Sequence, residues 1–325
     1  MNLQHRKAFA CAAAFLLIIL LGLTPVLGAP QSRDEIKLTG VLKTDYFTIR
    51  YDPSDPYLAK VMADSAQEAL QRVSKDLGYK PKMQRPFFLN IYPTHYEFIH
   101  AGGLKARKFT VGTTSSWDET ISVDASGVLS DPAITIAHEV THAIIFRHLG
   151  PTSPALPLWV NEGLAKYESG GLSGDDKQLI VDAAANGSLL PLSYLNSTFP
   201  NDRTDLAYAE SCSAVTLMIK QYGKSSPRIL LRELENTGSL NRAMHKATGK
   251  TAAQFESDWY NYTTKRYWLV KLTRIVTAVT SAIMAVLVVI AFIVRRKQKL
   301  EQARRWEQEE FEEAIRRQLG NDWWR

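Results

Sequence analysis

Residues 138–142 read His-Glu-Val-Thr-His. Two imidazoles four residues apart, with a carboxylate beside the first, can hold a metal ion and put it to use. On an α-helix positions i and i+4 share one face, so His138 and His142 can point at a single cation. Zinc takes imidazole ligands and lowers the pKa of a bound water to about 7. Glu139 can then accept that water's proton without itself being a ligand. A chance match to this pattern in a chain of this size is on the order of one in a hundred. That sets the functional reading above a helix whose histidines merely pack. A catalytic zinc also needs a third protein ligand and an open fourth position. The next candidate is Glu162, within Pro157–Tyr167 (PLWVNEGLAKY). An oxyanion formed during hydrolysis needs a hydrogen-bond donor, for which Tyr208 (in DLAYAESCSA) and Tyr194 are the candidates. Asn161, beside Glu162, reads as a structural residue, a helix cap.

These residues must be carried on defined elements. The stretch ITIAHEVTHAII over residues 134–145 is a helix, with Asp131 as its N-cap and Pro132 at its first position. Ile134, Ile136, Ile144 and Ile145 mark it as largely buried, which would hold the imidazoles in fixed rotamers. Upstream, Tyr46–Tyr51 alternates as a strand and stops at Asp52-Pro53. Pro56–Leu77 has helical periodicity and stops at Gly78. Phe87–Tyr92 is a second strand, and Thr94–His100 a short helix closed by Gly102-Gly103. Phe109–Asp124 holds one or two strands, with Glu119–Val123 the clearest. From Asp131 onward the pattern is helical, and Pro151–Pro157 is a loop between motifs that belong together. Strands first and helices afterwards make an α+β domain.

HEVTH followed by WVNEGLA resembles the gluzincin pattern of thermolysin-type and membrane alanyl aminopeptidase-type peptidases, and in particular the small peptidase MA-like group. The likeness covers about residues 40–265, with the two motifs as its specific core. It implies a zincin-like, thermolysin-type α+β fold and a peptide or protein substrate. It further implies zinc held by His138, His142 and Glu162, with Glu139 as general base. It favours Tyr208 as the oxyanion donor, and it places a substrate-pairing edge strand just before the HEVTH helix, at Glu119–Val123. Two departures matter. No Gly-x-Met-Glu-Asn motif precedes HEVTH, which makes an endopeptidase a better expectation than an aminopeptidase. The aspartate that thermolysin-type enzymes carry four residues after the ligand glutamate, to support a histidine, is Lys166 here. The support of the metal ligands must therefore differ. The competing reading is a catalytically inactive zincin-fold domain that binds or scaffolds.

Two apolar runs flank the domain. A short basic start (Arg6, Lys7) and an apolar run from Ala8 to about Leu23 make residues 1–28 a signal peptide cleaved after Gly28, or an uncleaved signal anchor. Ile275–Val294 carries no charge, long enough at 1.5 Å per residue for a hydrocarbon core of about 30 Å. Arg295, Arg296, Lys297 and Lys299 follow it, and tyrosines and Trp268 precede it. Lys265, Arg266, Lys271 and Arg274 also precede it, so the positive charge is not one-sided and the orientation follows from export of the N-terminus. The expected organisation is a leader (1–28), an extracytoplasmic peptidase domain (29–267), a transmembrane helix (272–294) and a charged helical cytoplasmic tail (295–325). The net charge of +6 is spread over these regions without a basic face, which argues against nucleic acid as a partner. Cys212 lies in an apolar helical pattern and reads as a buried thiol.

Overall fold

The computed structural model describes residues 38–80, 85–101, 110–150 and 156–321. The expected leader, the Gly102-Gly103 stop and most of the Pro151–Pro157 loop lie outside the described residues. Among the described residues the chain is a mixed α+β structure, mostly helical, with one small sheet. Five strands form it: β1 (Gly40–Lys43), β2 (Phe47–Tyr51), β3 (Phe87–Tyr92), β4 (Gly112–Thr114) and β5 (Ile121–Asp124). Their order is β1-β2-β3-β5-β4. The two parallel pairings, Ile49↔Leu89 and Leu89↔Ile121, put fully buried side chains side by side along the sheet centre. β1 and β4 pair antiparallel at the two edges.

Helix α1 (Pro56–Leu77) begins at Asp55, whose carboxylate accepts from Leu58 N–H, and ends at Gly78 in the left-handed conformation. Its buried stripe (Met62, Ala66, Leu70, Val73) packs in the core with β2 and with α3. Helix α2 (His95–His100) opens with a Thr94–Glu97 capping box. Helix α3 (Pro132–Leu149) carries HEVTH; Asp131 caps it and ten of its residues are buried. Helix α4 (Leu158–Glu168) carries NEGLA. Helices α5 (Gly174–Asn186), α6 (Thr204–Tyr222), α7 (Ser226–Thr237) and α8 (Leu240–Thr248) complete the helical half. The contact between α4 and α6 is so close that a Cβ on Gly163 would lie 2.5 Å from the Ser211 carbonyl oxygen. Glycine is therefore required there.

Helix α9 runs unbroken from Ala252 to Asn321. Phe255, Trp259 and Thr263 are buried in the domain core, whereas the apolar side chains from Ile275 to Val294 are exposed. By length and composition this is a helix able to cross a membrane.

The edge-strand expectation needs correction. The chain turns at Ser115–Thr120, where Glu119 has φ +57 and pairs with Arg147. It then returns as β5, so that β4 covers β5 on its outer side. All four β5 residues are buried, and the strand lies inside the sheet. The edge beside α3 is β4, residues 112–114.

Candidate functional site

His138 and His142 lie one turn apart on α3, and their ring planes meet at 78° with centroids 4.8 Å apart. Their Nε2 atoms are 3.1 Å apart. Glu162, on α4, brings Oε2 to 3.4 Å from each of them. A tetrahedral ion with ligands at about 2.0–2.2 Å spaces its donor atoms about 3.3–3.6 Å apart. The three atoms form nearly that triangle, and together they are a set able to hold a metal ion. His142 is buried, while His138 and Glu162 keep some exposure, so solvent reaches the cluster.

The charges of the cluster stabilise one another against burial. Burial alone would drive a proton from His142. The facing Glu162 carboxylate, with Glu139 nearby and Asn161 accepting from the ring, nevertheless raises its pKa to about 9. Burial acts on Glu162 in the opposite sense, yet His142 and His138 hold its carboxyl far below the usual range.

Asn161 is not a helix cap. Pro157 takes the N-cap position, without a side-chain hydrogen bond. Asn161 is instead buried, and its Oδ1 accepts from His142 Nδ1 at 3.0 Å. With Nδ1 donating to Asn161, loss of the Nε2 proton leaves the lone pair of His142 on Nε2, facing Glu162 and His138. Lys166, at the position where thermolysin-type enzymes have their supporting aspartate, pairs with Asp176 on α5 at 3.1 Å. The support of His142 comes from Asn161.

Glu139 is 6% exposed. Thr114 on β4 donates to its Oε2 at 2.7 Å. Gly112 lets the strand pass over the carboxylate: a Cβ there would lie 2.6 Å from Glu139 Oε1 and 2.8 Å from Thr135 Cγ2. Asn161 in this role, Thr114 and Gly112 were missed in the sequence. Each acts through a tertiary contact, and although Asn161 stands within NEGLA, nothing in the pattern shows which ring it meets. Of the two tyrosines, Tyr208 at the start of α6 stands edge-on to His138, with centroids 6.4 Å apart, and packs against Phe199 at 5.1 Å. Tyr194 lies on a 3-10 turn and is half exposed.

Size does not locate the site. A cavity of about 610 Å³ between α1, α3 and the end of α4 contains none of the three ligands. A smaller one of about 250 Å³, lined by Phe146, Leu156, Leu158 and Asn161, lies beside them. Phe146 stacks on His142 there at 5.9 Å.

Two motif-bearing helices converge on one triad able to hold a cation, under a short edge strand. The sequence profile of the peptidase MA superfamily matches residues 65–265, well over half of the chain. The chain belongs to this superfamily. No curated protein matches it. The matched span opens in α1 and closes in the first part of α9, so it encloses β3–β5, the triad and Tyr208. Peptidases of this superfamily are typically metal-dependent, and a peptide or protein is the substrate class that membership suggests.

Proposed function

We propose that this protein is a membrane-anchored zinc endopeptidase. The observation that carries this reading is the convergence of His138 Nε2, His142 Nε2 and Glu162 Oε2 within 3.4 Å of one another, with the Glu139 carboxylate held alongside by Thr114. Two imidazoles and one carboxylate, leaving a fourth position open, are the ligand set of a catalytic zinc. Zinc held there supplies a Lewis acid for the scissile carbonyl and acidifies a water.

The remaining steps fall to the chain's own residues. Glu139 accepts the proton of the attacking water and passes it to the leaving amine. The Thr114 hydroxyl keeps the carboxylate in one rotamer while it does so. Tyr208 donates to the oxyanion. The outer edge of β4 pairs with the backbone of an extended substrate, and the pocket beside Phe146 receives an apolar side chain. Residues 1–28 direct the domain out of the cytoplasm, α9 anchors it, and the charged end of α9 stays inside.

The test is metal analysis together with cleavage of a mixed peptide library by the full chain. The parent is expected to hold one zinc and to cut internal bonds. Glu139→Gln should keep the zinc and lose cleavage by about 10²–10⁴-fold. A zinc-loaded parent that cuts nothing in the library would overturn the hydrolase and leave a binding or scaffolding domain.

A further inference from the structure

Contacts along α9 fix the level at which the metal centre stands. Trp159 stacks on Phe255 with centroids 6.1 Å apart. Trp259 donates to Ser213 Oγ at 3.2 Å. At the far end Arg274 pairs with Asp182 of α5 at 3.2 Å and also bonds Gln178. Arg274 is the residue immediately before the uncharged run Ile275–Val294. Between Phe255 and this run the helix is unbroken, so no linker lets the domain swivel. The tie to Asp182 holds α5 against α9 at the point where the chain turns apolar.

Two of these contacts give the height of the site. Trp159 is one turn before Glu162 on α4 and meets Phe255, about 20 residues or about 30 Å of helix from Ile275. Gly163, next to Glu162, lies against Ser211, two residues from the Ser213 that bonds Trp259. Trp259 is about 16 residues, or about 24 Å, from Ile275. A helix tilt of about 20° shortens such a height by less than a tenth.

We propose that α9 is a ruler. It holds the triad about 25 Å from the bilayer boundary, and the substrates are polypeptides anchored in the same membrane, cut no nearer to it than about eight extended residues. This rests on the hydrolase reading above and on α9 spanning a membrane, and it holds whichever side the domain faces. Sharing one membrane raises the effective concentration of such substrates without any new contact. The rigid stem excludes the bonds closest to the bilayer.

The full chain in phosphatidylcholine vesicles tests this in two ways. A dye on Ser197→Cys (with Cys11→Ser) lies beside the site, on an exposed residue of the cavity that Asn161 lines; Cys212 is buried. Energy transfer to headgroup-labelled lipid, with the headgroup layer of about 5–7 Å added, should report a height of about 25 Å above the apolar core. A seven-residue helical insertion between Arg274 and Ile275 leaves every contact named above in place and should raise the dye by about 10 Å. The second readout uses single-span probes carrying a 40-residue unstructured mixed-sequence segment next to the membrane, with cut positions read by mass spectrometry. The first cut should fall about eight residues out, and about three residues further for the insertion variant. Cuts within the first five residues, or a height that ignores the insertion, overturn the ruler and leave the hydrolase standing. A height of about 25 Å with no cut in these probes or in free peptides overturns the hydrolase reading, and the substrate claim with it.

Discussion

Nδ1 of His142 meets Asn161 rather than solvent, and this contact decides which nitrogen is available to a metal. Partners of this kind affect metal affinity by about 10–100-fold. Asn161→Ala is accordingly expected to weaken zinc binding by that factor, measured by competition with a chromophoric chelator; an unchanged affinity would show that α3 packing alone orients the ring. A second buried carboxyl allows a prediction away from the metal. Glu210 is fully buried, and burial pushes its pKa up to about 8, although both oxygens accept from Leu190 N–H and the Arg203 charge is near. A carboxyl whose folded pKa lies above its unfolded value binds more protons in the folded state. The stability it contributes is present below the unfolded value and is lost as pH rises through about 8. Glu210→Gln should therefore raise the melting temperature relative to the parent at pH 9 and show no such gain at pH 5. An equal difference at both pH values contradicts this. His138, Glu139, His142 and Glu162 were legible because each motif lies within one turn or two of a single helix. Thr114 and Gly112 were not, because only the fold brings β4 over Glu139.

Between elements, the spacing of α4 and α6 sets where Glu162 and Tyr208 stand. A methyl group at Gly163 would be 2.5 Å from the Ser211 oxygen and 2.9 Å from Val215 Cγ2, and backbone cannot yield as a flexible side chain does. Gly163→Ala gains helix propensity, yet overpacking of this kind costs about 1–3 kcal/mol. Denaturant unfolding should show a net loss; a neutral or stabilised variant would mean that the two helices part freely. Helix limits could be read from Gly78, Asp131 and Pro132 because caps are local chemistry. The strands at the sheet edges could not. β1 and β4 are four and three residues long, and what defines them is the neighbour they pair with. The same reason misplaced the edge strand: Glu119–Val123 has the stronger strand pattern because Ile121 and Val123 are core, and core strands lie inside sheets.

Across the whole molecule, the sequence divides into a globular part, an apolar run and a charged tail. The structure joins all three on one helix, whose first turns complete the domain core through Phe255 and Trp259. The apolar run was legible from its length; its continuity with the core was not, because nothing in the local pattern distinguishes a stiff junction from a linker. The proposed role of the triad is to hold zinc for hydrolysis. Chelator-stripped full chain, in detergent or vesicles, should cut no peptide of a mixed library and should regain cleavage on addition of one equivalent of zinc. Cleavage that persists in the stripped chain, or that zinc bound at the site does not restore, would contradict it.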